Sequence, residues 1–559
     1  MKKLPLLIIC IALAAVVLAG CAAPSPTVPE ATEAPFSVRD AEIFESSHQR
    51  DEAFPSYFKT HALETPFFTV HMDDGIYEED ALRAAAEKLL ADVETACGRT
   101  GSEPGAFSVY VRGKLLPDNP SAAGNSVFIT ADELETGAYR RALLKAAYGL
   151  AAEWQSVGLE GFVFEEEIDE SGLKEYYSDP ANALTASCSP LFLDPSIAGE
   201  ETAAAAEKTA ESLTGFIIGN EGFDAFLSSE DTAGRLPAWF AHIGAEGGSL
   251  PAGSEKASRI ELRSDRSCLC VIRADNFTVK VDRDSKMITA DELYSFVCSL
   301  FAGCADLREK LVGELPSLEA FIDERMNEDI TIELTNDSSS CFSYPTLNQI
   351  YLWNAGSLFH ELIHLILEPD VYDRSCDWIS EAIAEYFSND AMDKYAPTDY
   401  ICGGEDSLFA LFAETSGRNA AEGDVVFLKS VFALYNAIDD VRDPGRDDTM
   451  ALELSHGICS MLLGGVGRTQ MRYKYDRTVA NGYGETSGPK ETDGNGLSYP
   501  QALAVFLFLC GDHGMEDVIK VYLRGASIEE IAGCAYPELY SAAYAYYNDA
   551  YGKYMYTGE

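Results

Sequence analysis

The sequence predicts an α+β protein of two tandem domains, each with a small mixed sheet followed by helices. Two observations support this fold class. The same order of strand-like and helix-like patterns occurs twice along the 559 residues, and the tripeptide Phe-Thr-Val recurs at 68–70 and 277–279. Repeats of this length are typical of duplicated domains rather than of a solenoid. Similar orders of elements also arise by chance, so this alternative stays open.

Each predicted element follows from its apolar spacing, which alternates in a strand and recurs every three to four residues in a helix. The elements of the first copy are strands at 67–72, Phe107–Val111 and Ser126–Thr130 and helices at Ala81–Cys97 and Tyr139–Glu153. The elements of the second copy are strands at Phe277–Val281, Ile330–Leu334 and Gln349–Trp353, a helix at Ala290–Gly303, and an apolar helix around residue 360. A Gly/Ser/Pro-rich stretch between the copies predicts a linker at 246–264.

The N-terminus carries a targeting signal. A basic pair, Lys2-Lys3, precedes a short apolar run at 4–17 that small residues close, as in a secretory signal rather than a membrane span. The segment Leu18-Ala19-Gly20-Cys21 resembles the processing box of bacterial lipoproteins. This resemblance implies cleavage before Cys21 and lipidation of its thiol. A plain signal peptide with an incidental cysteine is the alternative.

These features give the expected domain boundaries. Residues 1–20 are the signal peptide, 21–57 the lipidated cysteine and a tether, 58–245 the first domain and 265–559 the second. The body of the protein is then extracytoplasmic and held to the bacterial cell membrane by its lipid anchor only.

Charge excludes several classes of partner. Acidic residues outnumber basic ones by 91 to 41, which gives a formal net charge of −50. Nucleic acid and anionic lipid surfaces both attract basic proteins, so neither is an expected partner. Apart from Cys10 and Cys21, the cysteines are spread through apolar segments, and disulfides and buried thiols both remain open.

The second copy contains a pattern typical of zinc chemistry, His360-Glu361-Leu362-Ile363-His364. Histidines four residues apart share one helix face, so both imidazoles can reach one ion. Glu361 lies about 100° further round the helix, where it suits a general base better than a ligand. The pattern therefore predicts a Zn²⁺ site with a catalytic glutamate beside it.

A third ligand is predicted from the helix that follows. Trp378 opens a segment with helical apolar spacing, in which Glu381 and Glu385 share a face. Catalytic zinc takes three protein ligands and one open position, which makes Glu381 the third ligand. Glu385 is placed to orient a ligand histidine through its second ring nitrogen. The alternative is a solvated pair of carboxylates.

The first copy has no counterpart of the zinc-binding pattern. The aligned residues there are Lys145, Ala146 and Gly149. Trp154 and Glu160 persist downstream, and we expect the first domain to have the fold without the metal.

These residues resemble the gluzincin metallopeptidases, the group that holds thermolysin and the aminopeptidase-N family. The resemblance covers roughly residues 265–559 and implies that Gln349–Trp353 is an edge strand. It also implies that Tyr499, in Ser498-Tyr499-Pro500-Gln501, steadies an oxyanion from a helix start. In the duplicated frame, Glu207 takes the place of Tyr499. His456 is a second candidate for the oxyanion role, because thermolysin-like enzymes use a histidine.

The predicted activity is hydrolysis of peptide bonds in a peptide or protein substrate. A non-catalytic surface lipoprotein with a structural or vestigial zinc is the main alternative, and Cys376 is then the nearest candidate for a fourth ligand. Hydrolysis of another acyl compound also stays open. The insert at 398–497 has no assigned role, although a lid or a specificity wall fits its length.

Overall fold

The protein is described here from a computed structural model. The described residues are 36–51, 54–113, 122–165, 170–229, 231–336, 341–369, 376–395, 422–438, 449–463, 471–472, 478–479 and 499–555. Within them the α+β class is confirmed, since two small mixed sheets alternate with helices. Residues 1–35, with the expected signal peptide and Cys21, lie outside the described residues.

The first half forms one sheet and a set of helices. Its strands are β1 (Ile43–Asp51), β2 (Phe54–Glu64), β3 (Phe68–Asp73), β4 (Phe107–Arg112), β5 (Ala122–Ala123) and β6 (Ser126–Thr130). Its helices are α1 (Glu79–Thr100), α2 (Ala131–Thr136), α3 (Arg140–Tyr148), α4 (Glu153–Phe164), α5 (Glu170–Tyr176), α6 (Pro190–Leu193), α7 (Pro195–Ala198), α8 (Glu200–Glu221), α9 (Phe223–Leu227) and α10 (Leu236–Ile243).

The second half repeats the arrangement with more helices. Its strands are β7 (Glu261–Arg263), β8 (Cys270–Ala274), β9 (Phe277–Val281), β10 (Ile330–Leu334), β11 (Phe342–Tyr344) and β12 (Gln349–Leu352), with a separate pair β13 (Met471–Arg472) and β14 (Thr478–Val479). Its helices are α11 (Ser254–Ala257), α12 (Ala290–Glu314), α13 (Glu319–Met326), α14 (Leu358–Leu367), α15 (Asp377–Tyr395), α16 (Glu422–Tyr435), α17 (Thr449–Leu462), α18 (Tyr499–His513), α19 (Met515–Leu523), α20 (Ile528–Ala532) and α21 (Tyr536–Tyr551).

The two six-stranded sheets have the same topology. The strand orders are β1-β2-β3-β4-β6-β5 and β7-β8-β9-β10-β12-β11. In each sheet the three middle strands are parallel and the flanking strands pair antiparallel. A fully buried row of β-branched residues crosses the parallel strands of each sheet in matching register. The rows are Val70, Val109 and Val127 in the first sheet and Val279, Ile332 and Ile350 in the second.

Two expected boundaries are wrong. The tether predicted to run to residue 57 is ordered well before that point, because β1 and β2 form a hairpin on the first sheet and Val38 is buried in its core. The second unit begins before residue 265, since β7 is already part of its sheet. The expected linker is packed rather than extended, with Gly253 against the carbonyl of Cys298.

Three local predictions also need correction. The helix expected at 139–153 ends at Tyr148, because Gly149 takes a left-handed conformation (φ 64°) that stops it. Gly149 therefore lies outside the helix and cannot match His364, so the predicted alignment of the two halves is wrong there. The strand expected at the sheet edge, β12, lies between β10 and β11, and β11 is the edge strand.

The two halves share part of one hydrophobic core. Leu191, Phe192 and Ala206 of the first half belong to the core cluster of the second half. The ring of Phe192 lies 5.4 Å from that of Tyr294 on α12.

The described cysteines are free thiols. Within the described part of the chain, none of the helices combines the length and the apolar character that a bilayer crossing requires.

Candidate functional site

The helix α14 carries the predicted zinc pattern in the middle of the second core. Its residues are almost all apolar and buried, with His364 partly exposed. The helix ends at Glu368, whose extended backbone (φ −85°, ψ 136°) is the conformation that a following proline, Pro369, imposes. The sequence thus fixes both the burial of this helix and its end.

A glycine lets α14 approach α12 closely. A Cβ atom at Gly303 would lie 2.0 Å from the ring of Phe359. Phe359 directly precedes His360, so this contact sets the depth of the first histidine in the core.

The structure brings His360, His364 and Glu381 together. His360 Nε2 lies 3.2 Å from His364 Nε2 and 3.1 Å from Glu381 Oε2, and His364 Nε2 lies 3.5 Å from the same carboxylate oxygen. Two histidines on α14 and one glutamate on the neighbouring α15 therefore point three donor atoms at one place. This group could hold a metal ion.

The spacing of these donors fits a tetrahedral ion. Zinc binds imidazole nitrogen and carboxylate oxygen at about 2.1 Å, so neighbouring ligand atoms in a tetrahedron lie about 3.4 Å apart. The three separations in the structure, 3.1, 3.2 and 3.5 Å, bracket that value. The group has three members among the described residues, and the Glu381 side chain is 29% exposed. A tetrahedral ion here would keep one position without a ligand from the described residues.

The second ring nitrogen of each histidine faces an oxygen. Nδ1 of His360 lies 3.4 Å from Glu385 Oε1, the residue predicted to orient a ligand. Nδ1 of His364 lies 2.9 Å from Ser380 Oγ, which in turn donates to Glu368 Oε2 at 2.7 Å. Sequence reasoning missed Ser380 and Glu368, because neither belongs to the metal-binding pattern. With Nδ1 of His360 next to Glu385 and Nδ1 of His364 next to Ser380, the Nε2 atoms of both rings are directed at Glu381.

Electrostatics make this pocket a place for positive charge. Burial alone would lower the pKa of His360, but Glu381 and Glu385 outweigh it and raise that pKa to about 10. Burial also acts to lower the pKa of His364, but the charge of Glu381 outweighs it. The pKa of His364 is therefore raised as well. Burial would raise the pKa of Glu381, yet His364 and His360 hold it well below its usual range. The buried carboxylates thus favour a cation between the rings.

Glu361 and Tyr499 lie beside the three donors. Glu361 is buried with 6% of its surface exposed. It lies near Cys341, the residue before β11. Burial raises the pKa of the Cys341 thiol, and the negative charge of Glu361 adds to that increase. Tyr499 is the first residue of α18, is 36% exposed, and has its ring 5.8 Å from that of His360.

Two weaker sequence candidates are not members of this group. His456 is buried on α17, and burial lowers its pKa to about 4. Cys376, the candidate fourth ligand, directs its thiol to the carbonyl of Ala526 at 3.6 Å. The predicted capping residue Ser498 lies outside the described residues.

In the first half, an arginine on α3 lies between two glutamates from other helices. Arg141 on α3 bridges Glu160 on α4 (3.1 Å) and Glu207 on α8 (3.2 Å). Lys145, four residues further along α3, pairs with Glu153 at 3.0 Å. Two cations thus share one helix face, as the histidines do on α14. Arg141 was not singled out from the sequence, because its two partners come from distant helices.

No protein family, curated protein or solved structure matches the chain.

Proposed function

We propose that this chain is a zinc metallopeptidase of the gluzincin type, which hydrolyses peptide bonds. The observation that carries the proposal is the convergence of His360, His364 and Glu381 at tetrahedral spacing. Two histidines and a glutamate are a ligand set of zinc peptidases, with the fourth position left for water or substrate.

A catalytic role is favoured over a structural one by the number of ligands. A structural zinc site takes four protein ligands, and the group has three among the described residues. The partial exposure of Glu381 and Tyr499 gives a substrate access to the same place. The competing hypothesis, a binding lipoprotein with a structural zinc, requires a fourth protein ligand. The described part of the chain places no fourth member in this group.

Zinc bound here would act as a Lewis acid and bring the pKa of a water molecule to about 7. The Glu361 carboxylate accepts the proton of the attacking water and passes it to the nitrogen of the leaving amine. Its position supports this role, since it directly follows His360 on α14 and lies near the edge strand β11. A bound ion would be held by the Nε2 atoms of His360 and His364, because their Nδ1 atoms face Glu385 and Ser380.

The Tyr499 hydroxyl donates a hydrogen bond to the oxyanion that develops on the scissile carbonyl. Its ring lies 5.8 Å from the His360 ring, at the start of a helix. A side chain of that length on a helix end can reach an oxygen bound next to His360. One such donor contributes about 3 kcal/mol to transition-state stabilisation.

We further propose that the first half is a metal-free duplicate of the second. The support is the shared strand order, strand direction and register of the two sheets. In the first half a guanidinium, that of Arg141, neutralises the carboxylates that a metal ion would otherwise attract. The proposal predicts one zinc ion per chain, lost completely in a His360→Ala, His364→Ala variant. One equivalent of tightly bound zinc remaining in that variant, or two equivalents in the wild type, would overturn it.

The proposed setting is the outer face of a bacterial membrane, reached through lipidation of Cys21. Cells that express the full chain and are fed a clickable palmitate analogue should label the wild type and not Cys21→Ala. Peptides and proteins outside the cell are then the substrate class.

The test of activity uses the soluble fragment from Ser37, incubated with a mixed peptide library with and without a zinc chelator. Mass spectrometry should find chelator-sensitive cleavage products. Glu361→Gln should keep its zinc and lose cleavage by about 100-fold or more, whereas Glu529→Gln, an exposed glutamate on α20, should cleave like the wild type. Undiminished turnover by Glu361→Gln would refute the assignment. A library of esters is incubated in parallel. Chelator-sensitive cleavage of esters but not of peptides would identify the protein as a hydrolase of another acyl compound.

A further inference from the structure

The contacts behind His364 differ in kind from those behind His360. Glu385 faces His360 directly, at 3.4 Å. Behind His364 the nearest carboxylate, Glu368, is 3.9 Å away, which is too long for a hydrogen bond. The Ser380 hydroxyl lies between them, 2.9 Å from His364 Nδ1 and 2.7 Å from Glu368.

The chain places the two relay residues by separate means. Ser380 directly precedes Glu381 on α15, so the same helical turn carries a metal-capable donor and the relay hydroxyl. Glu368 is the extended residue that ends α14, four positions after His364. Tyr522 on α19 also donates to the Glu368 carboxylate, at 3.3 Å, which ties it to a third helix. Ser380 and Tyr522 are buried, at 6% and 2% exposure.

The direction of the hydrogen bonds follows from what each group can donate. The only hydrogen of the Ser380 hydroxyl is directed to Glu368, so its oxygen must accept from His364. The proton of the neutral imidazole then sits on Nδ1, and the lone pair of Nε2 points toward His360 and Glu381. Without the hydroxyl, His364 can take the other tautomer or rotate.

We propose that Ser380 and Glu368 are positioning residues that hold His364 in its metal-binding tautomer through a serine relay. The proposal deepens the proposed function and rests on it for the identity of the ion. The role of Ser380 and Glu368 can be tested without a peptide substrate, because it concerns the affinity for Zn²⁺ alone. Partners of this kind typically contribute a factor of about 10 to 100 to metal affinity.

The experiment measures Zn²⁺ affinity of the fragment from Ser37 by competition with a chromophoric chelator. Ser380→Ala should bind Zn²⁺ about 10- to 100-fold more weakly, and Ser380→Thr, which keeps the hydroxyl, should recover most of the loss. The matched control is Ser388→Ala, a buried serine two turns along α15 that bonds to Met392 instead. It should bind like the wild type.

A second readout reports the tautomer. In ¹⁵N-histidine-labelled, zinc-loaded protein, the His364 ring should show a protonated Nδ1 in the wild type, and this signal should broaden or shift in Ser380→Ala. The relay is overturned if Ser380→Ala keeps wild-type affinity and an unchanged His364 spectrum while His364→Ala loses zinc. If the wild type binds no zinc, the proposed function falls and the relay falls with it.

Discussion

The Nε2 atoms of His360 and His364 lie 3.2 Å apart. Each ring has its Nδ1 next to an oxygen, of Glu385 in one case and of Ser380 in the other. Two lone pairs at this separation repel each other unless a positive charge lies between them. The partly exposed carboxylate of Glu381, 3.1 Å from His360 Nε2, adds a negative charge that also favours a cation at this place.

The first prediction concerns this cation. Zinc at 100 times its dissociation constant should stabilise the protein by about 2.7 kcal/mol, because it binds the folded state only. The melting temperature should therefore rise with added zinc and fall with a chelator. His364→Gln should lose this response, whereas His513→Gln, an exposed histidine at the end of α18, should retain it. An equal zinc response in His364→Gln would contradict the site.

Tyr499→Phe should separate binding from catalysis. Loss of one oxyanion donor lowers kcat by about 100-fold, with KM and zinc content unchanged. Steady-state kinetics on a peptide found in the library measure this. Tyr544→Phe removes a hydroxyl of similar exposure, 38% against 36%, from α21 and should leave kcat unaltered. An undiminished kcat in Tyr499→Phe would exclude the oxyanion role.

Gly303→Ala should destabilise the second half. Its methyl group would lie 2.0 Å from the Phe359 ring, and overpacking of this kind costs about 1–3 kcal/mol. Chemical denaturation measures the loss. Gly313→Ala on the same helix meets no atom within 4 Å and should be neutral or stabilising by up to about 1 kcal/mol. Equal stability of the two variants would show that α12 and α14 can separate at no cost.

Glu211 should make stability depend on pH. Burial, followed by the charges of Glu165 and Glu207, raises its pKa to about 7. The folded state therefore binds the proton more tightly than the unfolded state. Stability from this group is full below the ordinary glutamate pKa of 4.5 and is lost as the pH rises through about 7.

Glu211→Gln should remove that loss. Relative to the wild type, the variant should gain stability on the order of 1 kcal/mol between pH 5 and pH 8, given partial solvent screening. Denaturation at the two pH values measures the difference. Glu201→Gln, an exposed residue of the same helix, should show no such change. A pH-independent difference for Glu211→Gln would mean that the carboxyl is ionised at both pH values.

The sequence was most informative where side chains alternate across a buried sheet. Three strands, β6, β9 and β10, begin and end at the predicted residues, because one face of each is buried and the other half-buried, which gives a clear alternating apolar pattern. The same holds for the three donors, whose spacing along two helices is a local property. His360, His364 and Glu381 needed no knowledge of distant contacts to be grouped.

What the sequence could not predict depends on partners far along the chain. The antiparallel strands β1 and β11 lie at sheet edges, and β1 is mostly polar in sequence while β11 has three residues, so their pairing leaves little apolar pattern. Arg141 is recognisable only once Glu160 and Glu207 are brought to it from two other helices. The Ser380 contact likewise depends on the backbone direction at Glu368, beyond the end of α14.

The insertion of Phe192 beside Tyr294 has a consequence for how the molecule is maintained. Because Leu191 and Phe192 complete a core that belongs mostly to the other half, unfolding of the first half would expose part of that core. Removing the first half would strip apolar cover from α12, the helix that packs against α14. The first half thereby contributes to the folding cooperativity of its neighbour.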